Sequence, residues 1–374
     1  MKMKKMTIST LSALIVLGMA GIAGTASAQA PQSGQKPMFA HPVPHFDATL
    51  PPATALTTWN GSFMYEGKTN NFVMVGTDPS STNTTTTFPV FIIPVKMVFT
   101  SGTKKKAFDP RAVLPSGNTV IQQILDSPIF ESSIDYVQGG TDLGMTQYED
   151  AFQRGNFWTD VTTNTNYHAV FGTPTVLPLL TVDVTSVQGA VGRSSFGPPE
   201  NIGIFSFGDF ESLAPGWIAQ YPSITPNSFP IFVTYNVYLS ENNNFSGCCI
   251  GGYHDAYGSP SSPQTYAQFS FMDQSTKVSV FSSDVSALSH EAGEWYDDPY
   301  IDNTQGACGG ILEVGDPLEG EADYGDHIYT VGGYDYHIQD LTFLKYFGQT
   351  PSTSVNDWWT FQNFPFTTVC QNGQ

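Results

Sequence analysis

A histidine and two glutamates lie close together in the segment His290-Glu291-Ala292-Gly293-Glu294. On a helix, residues four positions apart share a face, so His290 and Glu294 would point in the same direction, one turn apart. Imidazole nitrogens and carboxylate oxygens both bind divalent metal ions. Glu291 directly follows the histidine and is placed to take a proton from a metal-bound water molecule. The segment therefore predicts two metal ligands, His290 and Glu294, and one general base, Glu291. The alternative is an ordinary solvated helix face that happens to carry these charges.

A third carboxylate follows further along the chain. Glu313 lies 19 positions after Glu294, and a helix followed by a Glu at this interval resembles the gluzincin clan of metallopeptidases. In the aminopeptidase-like members that Glu completes the metal site, so the resemblance implies Glu313 as the third ligand. The sequence departs from the clan because Glu294 stands where a second His is usual. The Gly-Ala-Met-Glu-Asn substrate motif of those aminopeptidases is also absent.

The order of several motifs around the helix supports a second resemblance. A Cys- and Gly-rich stretch ends in Tyr253-His254, the helix follows, and Asp298-Pro299 and Glu313-Val-Gly-Asp316 come next. This order resembles an uncharacterised family of bacterial exported proteins and, faintly, the plant phosphate-induced (Exordium-like) secreted proteins. The resemblance supports treating His290, Glu294 and Glu313 as one unit, but that family supplies no reaction.

Three further residues are candidates for supporting roles around the metal. Asp316 lies close to Glu313, and His254 and Asp298 belong to the same run of motifs. Each has a simpler alternative: His254 would pack or hydrogen-bond beside a disulfide, Asp298 would cap the turn after the helix, and Asp316 would have a similar turn-capping role. One His with two carboxylates is a harder ligand set than two His with one carboxylate. Zn²⁺ is the first choice, with Mn²⁺ or Ca²⁺ as alternatives.

The helix that carries the motif is expected to span Asp284 to Tyr296. Asp284 is a natural N-cap and Pro299 a natural stop. Projected at about 100° per residue, the apolar side chains gather on one side and the three candidate residues on the other. The helix is therefore expected to bury its apolar stripe and to present His290, Glu291 and Glu294 to a cleft.

The rest of the chain indicates an α+β fold, with a β-rich N-terminal two thirds, a zincin-like helix and a mixed C-terminal third. Strand-like apolar runs bounded by polar residues recur from Trp59 onward, with helices expected near Val120–Leu125, Thr146–Phe157 and Phe210–Gln220. The expected organisation is a signal peptide over 1–28, a Pro/Gln-rich leader or linker over 29–56, a β-rich region over 57–275 and a metal-helix region over 276–374. The last two are expected to pack as one unit.

The N-terminus indicates the location of the protein, and the net charge argues against some classes of partner. Three Lys precede an apolar stretch that ends in Ala26-Ser27-Ala28, which is typical of a cleaved export signal. Removal of residues 1–28 takes away three Lys and no acid, so the net charge changes from −19 to −22. A strongly acidic chain argues against nucleic acid and anionic membranes as partners. The sequence predicts a secreted or periplasmic protein with no membrane attachment after signal removal.

Four cysteines, an even count, indicate two disulfides in an oxidising compartment. Because neighbouring cysteines rarely pair with each other, Cys248 and Cys249 are expected to bond separately to Cys308 and Cys370, in either combination.

Together these features predict a secreted metal-dependent hydrolase, with a zinc peptidase acting on a peptide or protein as the first hypothesis. The second hypothesis is a non-catalytic exported protein associated with cell-wall or glycan material, with a structural cation or no metal. The sequence alone leaves open whether the protein is an enzyme.

Overall fold

The computed structural model describes residues 42–50, 53–65, 68–138, 141–193, 198, 200–245, 248–276, 282–303 and 326–339. Over these residues the fold is mixed α/β and rich in strands. No helix in these ranges is long and apolar enough to cross a membrane. The expected signal peptide over 1–28 and most of the region after residue 303 lie outside the described ranges.

The strands, in chain order, are β1 (His45–Phe46), β2 (Thr58–Tyr65), β3 (Lys68–Val75), β4 (Thr85–Phe88), β5 (Val90–Ser101), β6 (Lys104–Phe108), β7 (Ile134–Gln138), β8 (Thr141–Thr146), β9 (His168–Phe171), β10 (Thr175–Val176), β11 (Leu180–Val184), β12 (Gly189–Gly192), β13 (Ile202–Ser206), β14 (Phe229–Tyr235), β15 (Val237–Ser240), β16 (Cys248–Ile250), β17 (Gly252–Ser259), β18 (Ser262–Phe271), β19 (Asp326–Val331) and β20 (Tyr334–Gln339). The α-helices are α1 (Val120–Leu125), α2 (Tyr148–Asn156), α3 (Trp158–Val161), α4 (Phe207–Ile218) and α5 (Ser286–Asp297), and a 3₁₀ turn spans Gln274–Thr276.

The largest sheet has the order β1-β17-β18-β14-β5-β10, and β6 and β11 also pair with β5. Its centre is parallel: Ile231 of β14 is in register with Ile92 of β5 and with Ala267 of β18. At one side β17 and β18 form an antiparallel hairpin, in which His254 is opposite Ala267. A strand covered on both faces contains few positions suited to water, which explains the long apolar runs in β5 and β14. β12, β13, β15 and β16 form a separate sheet, and β2–β3, β4–β9, β7–β8 and β19–β20 form two-stranded sheets.

Strand β18 is covered by protein on both of its faces. All ten of its residues are buried, because α5 and a second hydrophobic core cover the two faces of the sheet. The polar side chains on this strand are held by local bonds. Gln268, for example, donates its Nε2 hydrogen to Thr234 Oγ1 over 3.2 Å.

Helix α5 lies against β3, β17 and β18 and also contacts α2 and β20. Trp295 is stacked on Phe229 with ring centroids 4.1 Å apart, and its indole Nε1 donates to Thr265 Oγ1 over 2.9 Å. The hydroxyl of Tyr296 donates to the carbonyl of Ala169 over 2.8 Å. These contacts fix both the depth and the rotation of the helix against the sheet.

Two expectations about α5 were wrong. All twelve of its residues are buried, including the charged face that was expected to open onto a cleft or onto solvent, because protein surrounds the helix on every side. Asp284 is not the N-cap: Val285 holds that position without a side-chain bond. The Asp284 carboxylate instead accepts hydrogen bonds from the backbone N–H of Val285 and of His337, over 2.6 and 3.0 Å. It thereby ties the start of α5 to β20.

Several other elements agree with the sequence expectations. Helix α1 coincides with the expected Val120–Leu125, and α2 lies within Thr146–Phe157. Helix α4 begins three residues before the expected start at Phe210 and continues through Pro215.

Part of the expected leader belongs to the fold: His45 and Phe46 pair in parallel with Tyr257 and Gly258 at the edge of the large sheet.

Candidate metal centre

Helix α5 and strand β17 bring three potential metal ligands together. Glu291 and Glu294 lie on the side of α5 that contacts β17, and His254 extends from β17 toward the helix. One ligand atom from each residue lies within 4.8 Å of the other two. Their exposed fractions are 2 % for His254, 1 % for Glu291 and 2 % for Glu294. Side chains this deeply buried contact other protein atoms or a bound ligand, and they have almost no contact with solvent.

A backbone carbonyl determines which nitrogen of His254 is available. Nε2 lies 3.0 Å from the carbonyl oxygen of Asp298, and because a carbonyl only accepts, Nε2 carries the hydrogen and donates it. In the neutral imidazole Nδ1 is then an acceptor. Metal-binding histidines characteristically donate their second N–H to a carbonyl or a carboxylate in this way.

The distances from Nδ1 of His254 to the two carboxylates match a metal site better than hydrogen bonds. Nδ1 lies 3.3 Å from Oε2 of Glu291 and 3.5 Å from Oε2 of Glu294. Hydrogen bonds from nitrogen to oxygen are usually about 2.9–3.0 Å long. Two ligand atoms bound about 2.0–2.2 Å from a tetrahedral ion lie roughly 3.3–3.6 Å apart. The two distances from Nδ1 therefore match the spacing of ligands around an ion, and the three ligand atoms all lie within 4.8 Å of one another.

The electrostatics of the group also favour a positive charge between its members. The pKa of Glu291 is raised to about 8: burial raises it most, the contact with His254 lowers it, and the nearby charge of Glu294 raises it. The second carboxylate oxygen, Oε1 of Glu291, is buried and has no hydrogen-bond partner within the described residues. Two carboxylates and one imidazole lone pair in a dry site require protons or a cation to neutralise them.

His290 contacts this group from behind Glu294. Its Nε2 lies 2.7 Å from Oε1 of Glu294, one helical turn away, but the two atoms do not have the geometry of a hydrogen bond. The sequence predicts His290 as a metal ligand. In the described geometry it contacts the oxygen of Glu294 that does not face His254.

No family model, curated protein or solved structure matches this chain. The resemblances to gluzincin-type peptidases, to a bacterial exported family and to the Exordium-like proteins therefore stay predictions.

The other predicted site residues divide into two sets. Glu313 and Asp316 lie outside the described residues, so their part in the site also stays a prediction. Asp298 acts as the cap of the turn after α5, since its carboxylate accepts from the backbone N–H groups of Asp302 and Asn303 over 3.1–3.3 Å. Through its carbonyl, Asp298 also orients His254.

The expected cysteine pairing differs from the structure. Cys248 and Cys249 are bonded to each other across a cis peptide bond, with their Cα atoms 3.0 Å apart. The structure thus differs from the expectation that Cys248 and Cys249 each bond to a distant cysteine. Such an adjacent pair is not an ordinary disulfide. Cys308 and Cys370 lie outside the described residues.

Sequence reasoning gave His254 only a supporting role, although it supplies the nitrogen of the three-residue group. One signal was available: His254 follows two glycines and Tyr253 on a strand, and alternate residues of a strand share a face. What the sequence could not show is that this face lies against α5.

A second group of buried acids lies near the C-terminal end of α5. Glu149 of α2 and Asp297 of α5 are each 1 % exposed, and their four carboxylate oxygens have no hydrogen-bond partner within the described residues. Burial raises the pKa of both well above its usual value, and the charge of Asp297 adds to the effect on Glu149. We refer to these two residues as the acid pair.

Proposed function

We propose that this protein is an exported metal-dependent hydrolase, a zinc peptidase that holds its ion with His254, Glu291 and Glu294. The observation that carries the proposal is the spacing of three buried donor atoms from a strand and a helix. Three protein ligands leave a fourth position of a tetrahedral ion for water, as catalytic zinc sites do and closed structural sites do not.

The donor set favours Zn²⁺ over the alternatives. Ca²⁺ takes about 6–8 oxygen ligands and rarely a nitrogen, whereas His254 contributes an imidazole nitrogen oriented by a carbonyl. Mn²⁺ tolerates one His with carboxylates and is the second choice.

Individual residues of this chain would have separate roles in the proposed hydrolysis. A bound divalent ion supplies acidity to a water molecule and polarises a carbonyl. Oε1 of Glu291, which faces no hydrogen-bond donor of the described residues, is the atom that would accept the proton of that water. The carbonyl of Asp298 fixes His254, so this ligand is oriented before the ion binds, and His290 contacts Glu294.

A peptide or protein is the proposed substrate. The support is the His-Glu-x-x-Glu segment on α5, which resembles the zincin motif although His290 is not one of the three proposed ligands, together with the predicted export signal over residues 1–28. The acidic net charge argues against nucleic acid.

One observation favours a second function. All three ligands are at most 2 % exposed, and closed sites are typical of structural ions. On that alternative the protein is a non-catalytic exported component, associated with cell-wall or glycan material, and the ion only stabilises the contact between α5 and β17.

Metal analysis of the purified protein, combined with Glu291→Gln, tests the proposal. We expect about one zinc per chain and hydrolysis of a peptide library by the wild type. In Glu291→Gln, assayed with excess zinc, we expect a loss of activity on the order of 10²-fold or more, because an amide is a poorer zinc ligand than a carboxylate and cannot take up the proton. Glu241→Gln, an exposed residue, is the matched control and should behave as the wild type.

The outcomes separate the two functions. A stoichiometric ion without any peptide hydrolysis, and with strong thermal stabilisation by that ion, would favour the structural role. A wild type that binds no divalent ion in micromolar zinc would contradict both.

A further inference from the structure

Strand β17 carries a glycine beside the metal centre. Gly252 lies two positions before His254 and therefore on the same face of the strand, toward α5. A methyl group built on Gly252 would lie 3.0 Å from Cγ and 3.0 Å from Oε1 of Glu291. It would also lie 2.9 Å from the carbonyl oxygen of Gln268 on the neighbouring strand. Contacts this close are essentially absent or rare for real side chains, so a residue larger than glycine would have to displace something.

Glu291 has little space into which to move. It is 1 % exposed, and the helix around it is packed on the sheet through Trp295 and Tyr296. Close-packed interiors transmit a displacement of a few tenths of an ångström because they contain few voids. A methyl group at position 252 would therefore move the carboxylate itself and change its position relative to His254.

We propose that Gly252 is a positioning residue of the metal centre: its missing side chain provides the space in which Glu291 faces His254. The inference rests on the proposed metal site and adds the requirement that position 252 be glycine. Strand β17 thus contributes twice, with a ligand at position 254 and with empty space at position 252.

The test is Gly252→Ala, read out as zinc affinity by calorimetry or chelator competition and not as activity. We expect zinc affinity to fall about 10–100-fold, which is the usual cost of disturbing a residue that supports a metal ligand. Gly208→Ala is the control, since a methyl group there meets nothing within 4 Å, and it should leave affinity unchanged.

A double-mutant cycle with Glu291→Ala separates positioning from a general weakening of the strand. If Gly252 acts through Glu291, adding Gly252→Ala to Glu291→Ala should change zinc affinity by no more than about twofold. An equal loss of affinity in both backgrounds would overturn the inference and assign the effect to the contact with Gln268.

The same four proteins, namely the wild type, Gly252→Ala, Glu291→Ala and the double variant, also test whether crowding at position 252 affects folding. If Gly252→Ala alone does not fold and the double variant does, relief of crowding against Glu291 is shown directly, which supports the inference. If neither folds, the strand contact dominates and the inference is overturned. Wild-type protein that binds no zinc defeats the proposed function. Wild-type and Gly252→Ala proteins that bind zinc equally defeat only the role of Gly252.

Discussion

Helix α5 carries two groups of buried acids that differ in what surrounds them. In the metal group, which is His254, Glu291 and Glu294, the two carboxylates face the imidazole, and His290 contacts the other oxygen of Glu294. In the acid pair, Glu149 and Asp297 have no imidazole, no cation and no hydrogen-bond donor within the described residues.

The comparison shows why burial alone does not identify a site. Burial raises the pKa of Glu291, of Glu149 and of Asp297 alike. Only the metal group combines this with ligand atoms of two kinds, at the spacing of ligands around an ion. The acid pair is neutralised more simply, by keeping its protons.

Replacement of His254, the nitrogen ligand, should have the largest effect among the changes that test the contrast between the metal group and the acid pair. We expect His254→Ala to lose stoichiometric zinc, and His290→Ala to keep it with an affinity lowered about 10–100-fold, as for a residue that orients a ligand. Zinc content after dialysis and chelator competition measure both. His45→Ala, a largely exposed histidine, should leave zinc binding unchanged. Equal losses in the His254 and His290 variants would make both residues ligands and would restore the assignment of His290 made from the sequence.

The second largest effect should be on the pH dependence of zinc binding, which should depend on Glu291 of the metal group and not on Glu149 of the acid pair. Glu291 has a pKa of about 8 without metal, so zinc must displace its proton at lower pH. Affinity should therefore rise by about tenfold per pH unit between pH 6 and 8 and then level off. Calorimetry in buffers of different ionisation enthalpy counts the released protons. Glu149→Gln should give the same profile, because the acid pair does not contact the metal group. A flat wild-type profile would mean that Glu291 is already ionised in the metal-free protein.

The smallest expected effect concerns the stability of the acid pair. The pKa of Glu149 in the folded protein is raised above its usual 4.5. Its contribution to stability is thus complete below pH 4.5 and is lost as the pH rises through the raised value. Glu149→Gln should remove this loss and raise the free energy of unfolding of the metal-free protein at pH 7, because the amide has no proton to lose.

Denaturant unfolding at pH 4 and pH 7 tests this, with Glu241→Gln as an exposed control. The two proteins should differ little at pH 4. If Glu149→Gln is less stable than the wild type at pH 7, the carboxylate is ionised and bound by something, and the contrast between the two groups fails.

The sequence predicted local structure well where one strong pattern decided it. The helix over Val120–Leu125 and the apolar strands β5 and β14 follow from periodicity and from boundary residues. The expected β-rich, mixed fold is seen at that coarse level. The helix with the His-Glu-x-x-Glu segment was also placed to within two residues of its observed ends.

Its surroundings were not predictable in the same way. Helical projection correctly grouped Glu291 and Glu294 on one face, but it treated the polar face as exposed, because periodicity assigns polar residues to water. In this fold β17 covers that face, and His254 provides a polar partner for the carboxylates that are buried there.

By itself the sequence determined which chemical groups are available and which of them share a helix turn, because helical spacing is a local property. Only the tertiary structure decided that His254, 37 residues before Glu291, faces the two glutamates. It also decided that His290 lies behind Glu294, and that Gly252 leaves space beside Glu291. These relations depend on how a strand and a helix pack together, and that packing is set by contacts between segments that are distant along the chain.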